Sequence, residues 1–221
     1  MTSSPVPASR MLNSYTKDAI APVLLEAGFK ASGRVFRRLS DEALQIVDIQ
    51  SWKFNDSRRA RFTIQVGVCF PKLLAAVAEL EAYAFYRPNL AKPGITECAI
   101  RRRLGMFLNP PQDTWWTVSA TTGYLPPAEE VTGPLTTAAL PWMQHASSLS
   151  MLDASSAGEH VLSSPVMQMA ACLALGQDAA GTQAAALLAK GRHPNRPDLE
   201  QSLFSELLSL RRLSPPRSSE A

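Results

Sequence analysis

Long apolar runs are missing from this sequence. The longest candidate, residues 73–86, is interrupted by Glu79 and Glu81, well short of the roughly 18–20 uninterrupted apolar residues that a membrane-spanning helix needs. No membrane association is expected. Cysteine is scarce too. Cys69, Cys98 and Cys172 are odd in number and far apart, which argues against a disulfide framework and for a reducing compartment. The first ten residues contain no basic stretch followed by an apolar core, so no secretory signal is expected, and the cytoplasm is the expected location.

The motifs of common chemistries are missing as well. His145, His160 and His193 have no neighbours at metal-binding spacing, and no two cysteines do either. There is no Gly-x-Ser-x-Gly elbow, no P-loop and no dinucleotide fingerprint. A nucleophile built on Cys69 or Cys98 needs a histidine beside it. Both lie in expected strands, where an inert buried thiol is the usual state. Glu129 and Glu130 read as a capping or solvated pair ahead of a helix. No catalytic residue, metal ligand or cofactor is therefore assigned.

What is present is an ordinary globular composition, 46% hydrophobic and 19% charged with a net charge of +3. It is long enough for one generous domain and an appendage. Residues 1–8 read as a disordered start. The spacing of Leu12, Tyr15, Ala19, Val23 and Leu24 predicts a helix over 9–27, kinked or restarted at Pro22 and ended at Gly28. The period then changes to two. Strands are predicted over 35–39, 43–54 and 60–70, with Asn55, Asp56 and Ser57 turning the second into the third. Pro71 opens a helix to about residue 86, residues 97–108 and 114–119 return to strand, and Gly133-Pro134 opens a helix through about residue 147. Together, residues 9–148 make an α+β domain: an antiparallel sheet of about five strands with helices mainly on one face. The Ser/Ala/Gly-rich residues 149–164 read as a linker. Residues 165–213 read as a helical C-terminal extension, packed on the sheet or used to form a homodimer, and 214–221 as a frayed tail.

Two groups of residues stand out. Alternation places Asp48 in phase with Leu44 and Ile46, and Arg102 in phase with Ile100 and Leu104. A buried charge is costly unless paired, so Asp48 and Arg102 are expected partners, either as a structural ion pair or as part of a ligand site with Gln50, Trp52, Trp115 and Trp116. The opposite face would show Lys53, Arg61, Arg101 and Arg103, with Arg58 and Arg59 in the hairpin turn and Gln45, Gln50 and Trp52 alongside. Basic residues outnumber acidic ones about two to one between residues 34 and 103, while the rest of the chain is mildly acidic. A basic, aromatic sheet face can grip single-stranded nucleic acid. A solvated face, or one covered by the C-terminal helices, is the favoured reading.

GFKASGRVFRR (28–38), QIVDIQSW (45–52) and FTIQVGV (62–68), followed by ECAIRRRLG (97–105), Trp115-Trp116 and LPWM (140–143), come in an order that resembles the bacterial domain of unknown function 4304 family over roughly residues 10–148. The resemblance implies a compact α+β domain with no established activity, and makes the helices after residue 164 an extension. The expected function is a non-enzymatic binding or interaction module, as monomer or homodimer, with a protein partner. Nucleic-acid binding is the alternative, and an unrecognised enzyme the third choice.

Overall fold

The computed structural model describes residues 6–79, 88–151, 162–163 and 170. Among these residues seven strands form one antiparallel sheet: β1 (Lys30–Ser32), β2 (Val35–Ser40), β3 (Ala43–Ser51), β4 (Arg59–Cys69), β5 (Ile100–Arg103), β6 (Trp116–Ser119) and β7 (Leu162–Ser163). Their order is β1–β2–β3–β4–β5–β7, and β6 pairs with β4 beyond the end of β5. The fold is α+β, as the alternation of periods predicts. Two short edge strands, β1 and β7, add to the expected five. The expected linker and helical extension lie outside the described residues, apart from residues 149–151, 162–163 and 170. So does the second half of the helix opened by Pro71, of which α3 (Pro71–Ala78) is described.

Helices cover one face of this sheet. The N-terminal helix is continuous from α1 (Ala8–Tyr15) through a π turn (Thr16–Ile20) to α2 (Ala21–Glu26). A second helical run passes from α4 (Ala128–Pro134) through a π turn (Leu135–Ala139) to α5 (Leu140–His145). Each π turn ends two residues before a proline, Pro22 or Pro141. Proline has no N–H to donate, and its ring crowds the carbonyl one turn earlier. Widening the preceding turn relieves that clash without ending the helix. In the second run the threonines bond back one turn: Thr132 Oγ1 donates to Ala128 O at 3.0 Å and Thr137 Oγ1 to Gly133 O at 2.8 Å. This run starts at Ala128, not at Gly133 as expected, because Pro127 and the two glutamates of the first turn already favour a helix N-terminus.

Gly28, with φ +84°, ends α2 in the left-handed region, and Phe29 N–H returns to Leu24 O at 2.9 Å. This cap turns Phe29 inward, where it is buried. The helical face of the sheet contributes Phe36, Val47, Ile49, Phe62, Ile64, Val66, Val68, Ile100, Trp116 and Val118, all buried. Tyr15 of α1 meets Phe62 at 5.8 Å and Trp116 stacks on the same ring at 5.8 Å. One polar cluster sits within this apolar layer. Gln45 is fully buried and accepts from Arg38 Nε and Nη2, while its own amide donates to Ser147 Oγ at 2.8 Å. Arg38 also donates to Ala27 O at 2.6 Å. The cluster thereby fastens the ends of both helical runs to β2 and β3.

The opposite, outer face is half covered. Residues 93–98 cross it, burying Pro93, Ile95 and Cys98 over Ile46 and Gly67. A Cβ on Gly67 would lie 2.7 Å from Cys98 Sγ and 2.9 Å from Ile95 Cδ1, so only glycine lets this segment lie down on β4. The expected outcome for Gly67→Ala is a folded protein destabilised by about 1–3 kcal/mol through overpacking, read as a lower denaturant midpoint. A midpoint equal to wild type would mean that residues 93–98 do not pack there.

Candidate functional site

Among the described residues nothing crosses the other half of the outer face, which is built by β3, β4, β5 and the hairpin tip between β3 and β4. Alternate residues of β4, Arg61, Thr63 and Gln65, point to this side. Asp48 and Gln50 stand opposite Gln65 and Thr63 across β3, and Arg103 stands opposite Gln65 across β5. Arg101 follows opposite Gly67. Because β5 stops at Arg103 and β6 begins at Trp116, the chain between them leaves the sheet and comes back, placing Trp115 over the gap. Thr63 Oγ1 donates to Thr114 O at 3.0 Å and holds this return.

The central feature is an alternation of rings and guanidinium groups. Arg61 lies 5.1 Å from the Trp52 ring and 5.8 Å from the Trp115 ring, and Arg103 lies 5.5 Å from Trp115. These are cation–π distances. Arg103 is held further by an ion pair with Asp113 at 2.5 Å. Gln50 Nε2 donates to Asp48 Oδ2 at 2.9 Å, and Arg34 bonds Ser51 Oγ. Among the described residues, no acceptor takes the guanidinium N–H groups of Arg61 or of Arg101. Gln65 is only 8% exposed and its Oε1 has no hydrogen-bond partner.

The hairpin tip is tightly tied. Asp56 Oδ1 accepts from the backbone N–H groups of Arg58 and Arg59, both at 2.7 Å, and the N–H of Arg59 first, then that of Arg58, hold its carboxyl below the usual range. Asn55 accepts from Arg61 N–H at 2.7 Å and donates to Arg61 O at 2.9 Å. Ser57 O accepts from Ala8 N–H at 2.9 Å, so the tip also satisfies the first turn of α1. Strand β3 ends at Ser51, short of the expected residue 54. Trp52, Lys53 and Phe54 therefore belong to the tip, with Lys53 Nζ 4.7 Å over the Phe54 ring.

The expected partnership of Asp48 and Arg102 is not formed. Asp48 is in register with Gln65 and Arg102 with Val66, consecutive residues that point to opposite faces. Arg102 does turn to the apolar, helical side. There it donates from Nη2 to Met106 O at 2.8 Å and lies 4.5 Å over the Phe107 ring, and burial lowers its pKa. Trp116 is in the helical-face core and takes no part in the outer face, nor does Gln45. Asp48, Gln50, Trp52 and Trp115 do come together there with Arg61, Arg101 and Arg103, while Lys53, Arg58 and Arg59 sit at the tip. Phe54, Gln65 and Asp113 belong to the same surface and were not singled out from sequence. For Gln65 a signal existed, since it alternates with Arg61 and Thr63.

Elsewhere, strong shifts in acidity have structural causes. Burial pushes the Cys69 thiol from 9.0 up to about 12, with Glu97 adding to it. Burial likewise raises the Cys98 thiol well above 9.0. Burial, then Glu130 and Tyr124, pushes the Tyr15 hydroxyl from 10.0 to about 12, and that hydroxyl has no hydrogen-bond partner. Among the described residues no group of three or more His, Cys, Asp or Glu side chains could hold a metal ion.

Sheet, helices and site together define an α+β protein with a basic, aromatic sheet surface. The chain belongs to the family described as Domain of unknown function (DUF4304), whose model matches residues 20–145, from the first π turn to the end of α5. That match contains every outer-face residue named above. No curated protein and no solved structure matches the chain. Among the described residues no helix is long and apolar enough to cross a membrane.

Raised folded-state pKa values mean that the folded chain holds protons the unfolded chain has begun to release. Stability is then fully present below about pH 9, the ordinary thiol value, and falls as pH rises toward about 12. Tyr15→Phe, which removes the unpartnered hydroxyl, is expected to leave neutral-pH stability equal or higher and to flatten the decline above pH 10. Urea midpoints at several alkaline pH values measure this. An unchanged alkaline slope in the variant would remove Tyr15 from the account.

Proposed function

We propose that this protein is a non-enzymatic binding module and that the uncovered outer face is its contact surface for an anionic partner. One observation carries this: Arg61 is clamped between Trp52 and Trp115, yet its N–H donors have no acceptor among the described residues. A guanidinium held by ring contacts has lost its freedom before any partner arrives, so little further entropy is lost when an anion binds. Charge supports the same reading. Arg61, Arg101 and Arg103 share the face with Asp48, and Asp113 is already paired with Arg103. The tip adds Lys53, Arg58 and Arg59 against Asp56.

The shifted groups support a binding module over an enzyme. Cys69, Cys98 and Tyr15 are shifted chiefly by burial, and Asp56 by backbone hydrogen bonds. None of these is a group poised near neutral pH, as general acid–base catalysis requires. Free buried thiols at Cys69 and Cys98 suit a reducing compartment such as the bacterial cytoplasm.

Heparin, a generic polyanion, provides a first probe. The full chain is expected to be retained on immobilised heparin at low ionic strength, and Arg61→Ala to elute at lower salt. Each lost anion contact reduces the slope of log affinity against log salt by about 0.7–0.9. Arg10→Ala, on the exposed side of α1, serves as control and is expected to elute with wild type. If Arg61→Ala co-elutes with wild type while the chain is retained, the contact surface lies elsewhere.

A further inference from the structure

The uncovered face continues onto the hairpin tip, and this continuation narrows the class of partner. Trp52 is 37% exposed and Phe54 64%. Their rings meet edge-on, with centroids 5.1 Å apart at 73°. From the tip inward the order is Phe54, Trp52, Arg61, Trp115, Arg103, with successive separations of 5.1, 5.1, 5.8 and 5.5 Å. Lys53 lies against Phe54, and the exposed Arg58 and Arg59 flank the same tip. Two exposed rings, Phe54 and Trp52, and the half-buried ring of Trp115, each beside a cation, form a contiguous patch of the kind that marks an interaction surface.

Resting on the reading of this face as an anion-binding surface, we propose that the partner is a single-stranded nucleic acid. Its bases stack on Phe54, Trp52 and Trp115, and its phosphates meet Lys53, Arg58, Arg59, Arg61 and Arg103. The alternation itself carries the assignment. A single strand offers planar bases joined by one negative charge per residue, and the face offers planar rings joined by positive charges. Single-strand binders combine these two elements. An acidic peptide would satisfy the cations and leave the rings without a counterpart. A bilayer would require the rings to pass below the headgroups. Here Arg61 and Arg103 lie against the ring of Trp115, so burying that ring would carry guanidinium groups down with it. A duplex keeps its bases stacked internally, out of reach of a flat sheet. Because every base has a π face, the binding is tolerant of sequence and strongly salt-dependent.

The tip is ordered before it binds. Asp56, Asn55 and Ser57 hold its backbone through the bonds to Arg58, Arg59, Arg61 and Ala8 already described. Phe54 takes no part in those bonds and is mostly exposed, so its removal is expected to leave the fold intact and to test the surface alone.

The test is a titration of the full chain with fluorescein-labelled oligodeoxythymidylate. An abasic strand of equal length, a duplex, an oligo-aspartate and phosphatidylglycerol vesicles are measured in parallel, with each series repeated at higher salt. The base-bearing single strand is expected to bind most tightly. Phe54→Ala is expected to weaken it about 5-fold or more, the effect of losing one stacked base, without changing the denaturant midpoint. Arg61→Lys keeps the charge, loses the planar stack, and is expected to weaken binding as well. If the abasic strand or the oligo-aspartate binds as tightly as the oligonucleotide, the surface is an anion site and the nucleic-acid assignment is wrong. Preferential binding to vesicles or to the duplex overturns it in the same way. If none of these probes binds, and heparin does not retain the chain, the anion-binding reading fails along with it.

Discussion

Strand β4 is the constraint on which everything else rests. It pairs with β3 along residues 62–69 on one edge, and with β5 and then β6 on the other. From Phe62 to Phe70 every residue is buried. A strand whose residues are buried along this length and paired on most of both edges leaves few backbone groups to solvate, so its neighbours must supply partners for them. That requirement places the helical runs on one side and residues 93–98 on the other. It also forces the chain between β5 and β6 to leave the sheet and return, which brings Trp115 back over Arg61. Sheet completion thus sets where Trp115 meets Arg61, though not that these positions carry a ring and a guanidinium.

Much of this was legible in the sequence. The β4 alternation of Phe62, Ile64, Val66, Val68 and Phe70 against Arg61, Thr63, Gln65 and Gly67 fixes which residues share a face, and the hairpin at Asn55–Asp56–Ser57 follows from turn chemistry. Which face of β3 meets the helices was not legible. Ile46 and Val47 are both fully buried, because residues 93–98 cover one and the helical runs the other. A strand buried twice reads as apolar in either phase. Asp48 was therefore assigned to the apolar side with Leu44 and Ile46, whereas that side is the outer face beyond the reach of residues 93–98. Arg102 was placed correctly by its phase. Its solution was out of reach, because Leu104–Phe107 turns into a 3-10 helix and brings Met106 O and Phe107 to the guanidinium. The ends of elements were the weakest readings. Extending β3 to residue 54 hid Phe54 within a strand, where its exposure could not be inferred.

The two faces treat arginine in different ways. Arg38 and Arg102 lie on the helical face. Arg38 finds Gln45 and Ala27 O, Arg102 finds Met106 O, and each lies over a phenylalanine ring. Burial lowers the pKa of both. In a low-dielectric layer a guanidinium gains from every partner it finds, so these arginines serve to hold loops and helix ends, although Arg102 Nε stays buried without a hydrogen-bond partner among the described residues. On the outer face water can solvate the donors, and the rings need only orient the cation. A cation–π contact at such a site contributes about 0.5–1 kcal/mol, enough to bias a side chain toward one position while leaving its hydrogen bonds free for a partner.

That division also explains why a purely structural role does not account for the row. If Arg61 existed only to brace the hairpin, its donors would gain most by reaching carbonyl oxygens at the tip, as Arg38 reaches Ala27 O. Instead the tip is braced without them: Asn55 bonds the backbone of Arg61, Asp56 bonds the backbone of Arg58 and Arg59, and Trp52 N–H bonds Arg61 O. Every one of these bonds survives loss of the Arg61 side chain. Nor does the fold need an exposed Phe54 beside Trp52, since both rings leave apolar surface in water that a polar turn residue would not. Among the described residues, then, the Arg61 side chain leaves the backbone network whole when removed and leaves its donors without acceptors, which is what the proposed contact surface requires.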